Sequence, residues 1–144
     1  MLKIKIAKLN SNAIIPEYKT VGAAGADLYS VDDVEIQAND IALIPTGLKI
    51  EIPDGYEIQI RPRSGMALKK ITVLNSPGTI DADYRGEIKI ILFNANNTPV
   101  KITAGSRVAQ MVIAPVVRAD FEIVNPEDLS TTERDKSGFG STGK

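Results

Sequence analysis

The strongest constraint on this chain is an alternation of apolar and polar side chains with a period of two, which returns along its length and leaves little room for helix. Leu2-Lys-Ile-Lys-Ile6, Leu48-Lys-Ile-Glu-Ile52 and Tyr56-Glu-Ile-Gln-Ile60 put aliphatics on one face and charge or amide on the other. That is the pattern of a half-buried strand, because successive side chains of an extended chain leave on opposite sides. Glu87 to Phe93 and Val108 to Val117 are more continuously apolar and read as strands covered on both faces. Turn-forming clusters separate the runs: Pro53-Asp-Gly55, Asn75-Ser-Pro-Gly78, Asn94 to Pro99 and Ala104-Gly-Ser106. Short strands punctuated this regularly predict an all-β fold, a barrel or sandwich of the jelly-roll kind. One short helix is expected, Ser64 to Lys70, with Ser64 capping its first turn.

The chain has 144 residues and neither cysteine nor histidine. A domain of this size buries about 70% of its unfolded surface and needs no disulfide or metal staple. The missing residue types exclude Cys/His zinc sites, thiol nucleophiles and any Ser-His-Asp arrangement. What remains is carboxylate, hydroxyl, guanidinium and backbone chemistry, with a hard cation such as Mg²⁺ as its natural helper. With 17 Lys+Arg against 18 Asp+Glu, stable nucleic-acid binding is not expected. The longest strongly apolar run, Val108 to Val117, is interrupted by Gln110 and Pro115 and falls short of the roughly 20 residues of a membrane span. The N-terminus offers no signal-peptide core. The expectation is an intracellular, cytoplasmic protein without membrane contact, with organelle, nucleus or viral origin left open.

From Leu129 to Lys144 the composition changes: after Leu129, the only large apolar side chain is Phe139. The expected organisation is therefore a β core over 1–128 and a flexible tail over 129–144. The tail reads either as a disordered terminus or as a lid that orders on a ligand.

Five segments carry polar groups beyond what turns require. In Arg61-Pro-Arg-Ser-Gly65, Arg63, Ser64 and the backbone N–H groups at a helix start make an anion site, or else an ordinary capped turn. In Asn75 to Glu87, Asp81 and Asp83 stand two apart on a segment read as extended and so point the same way; a carboxylate there suits a general base, and Tyr84 is an apolar plate beside it. An acidic turn with an edge aromatic is the plainer reading. Gly22 to Leu28 ends in Asp27, near a cation or simply in a turn. Gly105 to Gln110 offers Arg107 and Gln110 to ligand oxygens or to a salt bridge. Gly138 to Lys144 fits the opening of a P-loop, but no strand leads into it and no helix follows, so it is set aside.

In this order the segments resemble the five motifs of the trimeric deoxyuridine triphosphatases (dUTPases): Ala24-Gly-Ala-Asp-Leu28, Pro62-Arg-Ser-Gly-Met66, Gly78-Thr-Ile-Asp-Ala-Asp-Tyr-Arg-Gly86, Gly105-Ser-Arg-Val-Ala-Gln110 and Arg134 to Gly143. The resemblance implies a jelly-roll-like homotrimer with three active sites at subunit interfaces. It implies Mg²⁺-dependent hydrolysis of dUTP to dUMP and pyrophosphate, lowering dUTP and supplying dUMP for thymidylate synthesis. Asp81 would be the general base. Asn75, Gly78 and the hairpin backbone would read uracil, and Tyr84 would pack under the deoxyribose. Arg63, Ser64, Gly65 and Gln110 would hold phosphate oxygens, and Asp27 would act on the metal through water. From the tail, Arg134 would reach the γ-phosphate while Phe139, followed by Gly140, would stack on uracil.

Asp135-Lys136-Ser137 departs from the glycine-rich residues usual at that point and bears on tail closure. Two other readings share the chain: a dCTP deaminase or bifunctional deaminase-triphosphatase of the same fold, opposed by Tyr84 and by the missing glutamate context of deaminases, and a non-catalytic β-sandwich module, opposed by intact Asp81, Tyr84 and Arg63.

Overall fold

The structure is a computed structural model, and it describes residues 1–141 and 143. Among the described residues eleven strands form: β1 Lys5–Lys8, β2 Ala26–Tyr29, β3 Val34–Ile36, β4 Ile41–Pro45, β5 Leu48–Glu51, β6 Tyr56–Arg61, β7 Ile71–Val73, β8 Gly78–Ile80, β9 Lys89–Asn94, β10 Val100–Ile102 and β11 Arg107–Pro115. They pair in four small sheets, ordered β1-β5, β10-β3, β2-β11-β6-β8 and β4-β9-β7. Every pairing is antiparallel. The architecture is the expected all-β, jelly-roll-like one.

Leu28, Ile36, Ile44, Leu48, Ile58, Ile90, Leu92 and Val108 are essentially fully buried and come from seven different strands. Each contributes about 1.5–3 kcal/mol by leaving water. A register shift in the β11·β2 pairing falls between Arg107 and Ala109, beside the consecutive buried residues Val108 and Ala109. The loop after β9 is clamped by the buried Asn94, whose Nδ2 donates to the carbonyls of Ile36 (3.1 Å) and Thr98 (2.9 Å).

Four local expectations change. The first strand begins at Lys5, because pairing to β5 runs only from Lys5 to Lys8. Strand β9 is buried on one face alone: Ile90, Leu92 and Asn94 point inward, while Ile91 and Phe93 are half-buried beside the exposed Ile41 and Leu43 of β4. Strand β11 likewise keeps Val112 and Ile113 half-buried. The helix α1 covers only Ser64–Ala67, and Arg63 occupies its N-cap without a side-chain cap bond. Ser64 is no cap because the Arg63 carbonyl already accepts the N–H groups of Met66 (3.1 Å) and Ala67 (3.0 Å), making Ser64 the first helical residue.

The last strand ends at Pro115, and every residue described from there to Ser141 is exposed except the intermediate Gly138. The expected core boundary at Asp128 therefore falls within an exposed arm, at the end of a single 3₁₀ turn, Pro126–Asp128.

Candidate active site

The order β2-β11-β6 brings three motif segments together. On β11, Gln110 stands opposite Asp27 on one side and Arg61 on the other. Asp27 is buried, at 8% exposed, and both of its carboxylate oxygens are engaged. Arg63 Nε lies 3.2 Å from Oδ1, and Arg107 Nη1 lies 3.3 Å from Oδ2. Arg63 Nη1 also donates to the Arg107 carbonyl at 3.3 Å. Two guanidinium groups against one carboxylate leave a net positive corner, which suits an anion.

Gln110 spends one N–H on the Pro62 carbonyl, at 3.0 Å, so it ties β11 to the turn that presents Ser64 and Gly65. A Cβ on Gly25 would strike the Gln110 carboxamide and would stand only 3.2 Å from Gln110 Cβ. Among the described residues the amides of Ser64 and Gly65 have no internal acceptor. Beside Asp27, Glu17 is bridged to the same strand. It holds Lys19 Nζ at 2.6 Å, a bond that raises the lysine above its ordinary pKa.

The third motif forms a separate group. Gly78 is buried where β8 crosses β6, and a Cβ there would lie 3.2 Å from Ile60 Cβ and 3.3 Å from Asn75 Nδ2. A side chain there would crowd the small cavity of about 60 Å³ lined by Asn75, Gly78 and Ile80. A neighbouring cavity of about 310 Å³ is lined by Ile80, Asp81, Tyr84 and Glu87. The segment carrying the two carboxylates is not extended, because the Tyr84 N–H closes a turn onto the Asp81 carbonyl at 3.1 Å. Asp83 consequently lines only a larger opening of about 710 Å³ with Asp54 and Arg118, whereas Asp81 borders both spaces.

The register separates these two groups. Asp27 lies level with Arg61, whereas Ile80 pairs with Ile58, and β2 is three strands from β8. At about 4.8 Å per strand and 3.3 Å per residue, Asp27 and Ile80 are roughly 17 Å apart. Within one chain Arg63 therefore belongs to the first group and Asp81 to the second.

The tail joins neither group. Arg134 Nε donates to Ser137 O at 3.0 Å, Asp135 N donates to Thr132 Oγ1 at 2.9 Å, and Phe139 is fully exposed. Gly140 follows it with φ 81°. Thr142 and Lys144, the end of the P-loop-like match, lie outside the described residues.

A family model described as dUTPase matches residues 11–143. The chain belongs to the dUTPase family. It is 59% identical to the deoxyuridine 5'-triphosphate nucleotidohydrolase of Nautilia profundicola, covering 99% of this chain and 100% of that one, and 56% identical to that of Hydrogenobaculum sp., covering 99% of each. Among solved structures, a dUTPase of Staphylococcus bacteriophage 80alpha with dUPNHPP covers 100% of both chains at 27% identity and a TM-score of 0.90.

As a dUTPase chain, then, this molecule carries its first, second and fourth motifs in one cluster, its third in another and its fifth on a free arm. Sequence reasoning missed the closeness of Gly25 to Gln110 and of Gly86 to Tyr84. Both glycines stand inside the motifs, which was the available signal. No group of three or more metal-ligating side chains occurs among the described residues, and both oxygens of Asp27 are paired with arginines. This does not cage a cation. It fits one that arrives on triphosphate oxygens with its own water.

Proposed function

We propose that the chain hydrolyses dUTP to dUMP and pyrophosphate as a homotrimer whose sites are shared between subunits, acting in the cytoplasm and supplying dUMP for thymidylate synthesis. The observation that carries the shared site is the sheet register, which at ideal spacings separates Asp27 from Ile80, the residue before Asp81, by roughly 17 Å. A second chain that supplies one group to the other removes the gap. The apolar face made by the exposed Ile41 and Leu43 and the half-buried Ile91 and Phe93 gives copies a surface to share.

In the assembled site Asp81 takes a proton from the attacking water as it approaches the α-phosphorus. Arg63, the amides of Ser64 and Gly65, and the remaining N–H of Gln110 neutralise and align phosphate oxygens, which is most of what phosphoryl transfer asks of a protein. Bound Mg²⁺ would supply further charge neutralisation. Asp27 would hold it through water, while its direct task is to hold Arg63 and Arg107. Asn75, above the cavity that Gly78 keeps open, reads the uracil edge, and that narrow cavity excludes the methyl of thymine. Tyr84 packs under the deoxyribose. Arg134 reaches the γ-phosphate, and Phe139, on the turn that Gly140 completes, stacks on the base.

The test is pyrophosphate release from dUTP, dTTP, dCTP and UTP, with and without Mg²⁺. Strong preference for dUTP is expected, since the wrong base leaves buried polar groups unpaired. Comparable turnover of dTTP or UTP overturns the reading.

A further inference from the structure

The Tyr84 ring is fastened by its own segment. Its hydroxyl donates to the Glu87 carbonyl at 2.8 Å, which folds the ring back across Gly86. A Cβ at residue 86 would overlap the hydroxyl and the ring, with even Cε1 only 2.8 Å away. The backbone does not demand glycine here. Gly105 has φ 84° and needs the left-handed region, whereas Gly86 lies outside it. Space for the ring is therefore the reason for the bare position. Nor does the ring hold the loop: Arg85 Nη1 donates to the carbonyls of Ala82 (2.7 Å) and Tyr84 (3.1 Å), and the Tyr84 N–H closes the turn on Asp81.

We propose that Gly86 is a specificity-setting, positioning residue: its missing side chain is the seat of the Tyr84 ring, and through that ring it governs rejection of ribonucleotides. The inference rests on the reading of Tyr84 as the plate beneath the sugar. A methyl group at residue 86 meets the far end of a side chain that can swing, so the chain folds and the ring gives way. The hydroxyl leaves the Glu87 carbonyl, and the ring no longer occupies the space a 2′-hydroxyl would need. Tyr84 is already 45% exposed, so little packing opposes the movement.

The experiment is a double-mutant cycle of Gly86→Ala and Tyr84→Ala in the full-length protein, with kcat and KM measured for dUTP and UTP. Gly86→Ala should lower the dUTP-to-UTP ratio of kcat/KM roughly tenfold or more, as should Tyr84→Ala. The double variant should discriminate no worse than Tyr84→Ala alone. A wild-type ratio in Gly86→Ala beside a lowered ratio in Tyr84→Ala overturns the proposal and leaves the sugar-plate reading standing. A ratio unchanged by Tyr84→Ala removes that reading and the proposal with it. A further drop on adding Gly86→Ala to Tyr84→Ala shows that residue 86 acts independently of the ring, which also overturns it. Should Gly86→Ala fail to fold, the double variant must fold, because the three atoms nearest to a Cβ at residue 86 all belong to the Tyr84 side chain; a double variant that also fails to fold sinks the idea.

Discussion

Arg63, at the N-cap of α1 just beyond β6, reaches across β11 to Asp27 on β2 and holds its carboxylate at 3.2 Å. The arginine that the second motif offers to phosphate is thus already oriented before any nucleotide arrives, and the cost of ordering its side chain is met during folding.

Asp27→Asn should therefore act on stability as well as on catalysis. Its side chain is 12% exposed, against 24% for Arg63 and 46% for Arg107, so the pair sits between the surface and buried limits and its loss should cost about 2 kcal/mol. A urea titration without nucleotide should show a lower midpoint at unchanged slope. An unchanged midpoint combined with a shifted Mg²⁺ requirement would return Asp27 to the metal alone.

Asp81→Asn keeps shape and removes the proton acceptor. It should lower kcat by about 10²-fold or more while dUTP binding stays near its original strength. Steady-state turnover beside calorimetric binding of a non-hydrolysable analogue separates the two. Retained turnover would move the base to another group.

Deleting Leu129 to Lys144 should leave a folded core, since the last strand ends at Pro115, yet activity should fall steeply. Co-refolded with Asp81→Asn chains, the truncated chains should regain activity, because mixed assemblies pair an intact Asp81 with a neighbour's tail. Mixed assemblies as inactive as either parent would confine the tail to its own subunit.

Leu43→Asp places a charge on the outer face of β4, where the residue is 54% exposed and its loss leaves the core intact. Light scattering should report the smaller species, with its circular dichroism preserved and pyrophosphate release lost. An unchanged mass would move the interface elsewhere.

Strand positions were legible because alternation is a local signal: the runs Leu48 to Ile52 and Tyr56 to Ile60 become strands Leu48–Glu51 and Tyr56–Arg61, each within one residue of its expected end. Pairing order was not legible. Nothing local to Asp27 announces that β11 will lie beside it and bring Arg107, or that Gln110 will spend an N–H on Pro62. Ser64 was misread as a cap because its position one residue inside the helix is decided by the Arg63 carbonyl. Asp81-Ala-Asp-Tyr84 reads as a turn only when Asp is weighted at the first turn position. The motif residues themselves were legible in order, but their division between two distant places was not.

That division changes what a single newly made chain is worth. On the proposed shared site, with Asp27 roughly 17 Å from Ile80 at the head of the carboxylate turn, a solitary copy holds parts of two unfinished sites and no finished one. Specific activity then becomes a property of concentration: dilution below the assembly threshold should silence the enzyme without unfolding any of its copies, and rising synthesis should switch it on more steeply than in proportion to the number of chains made.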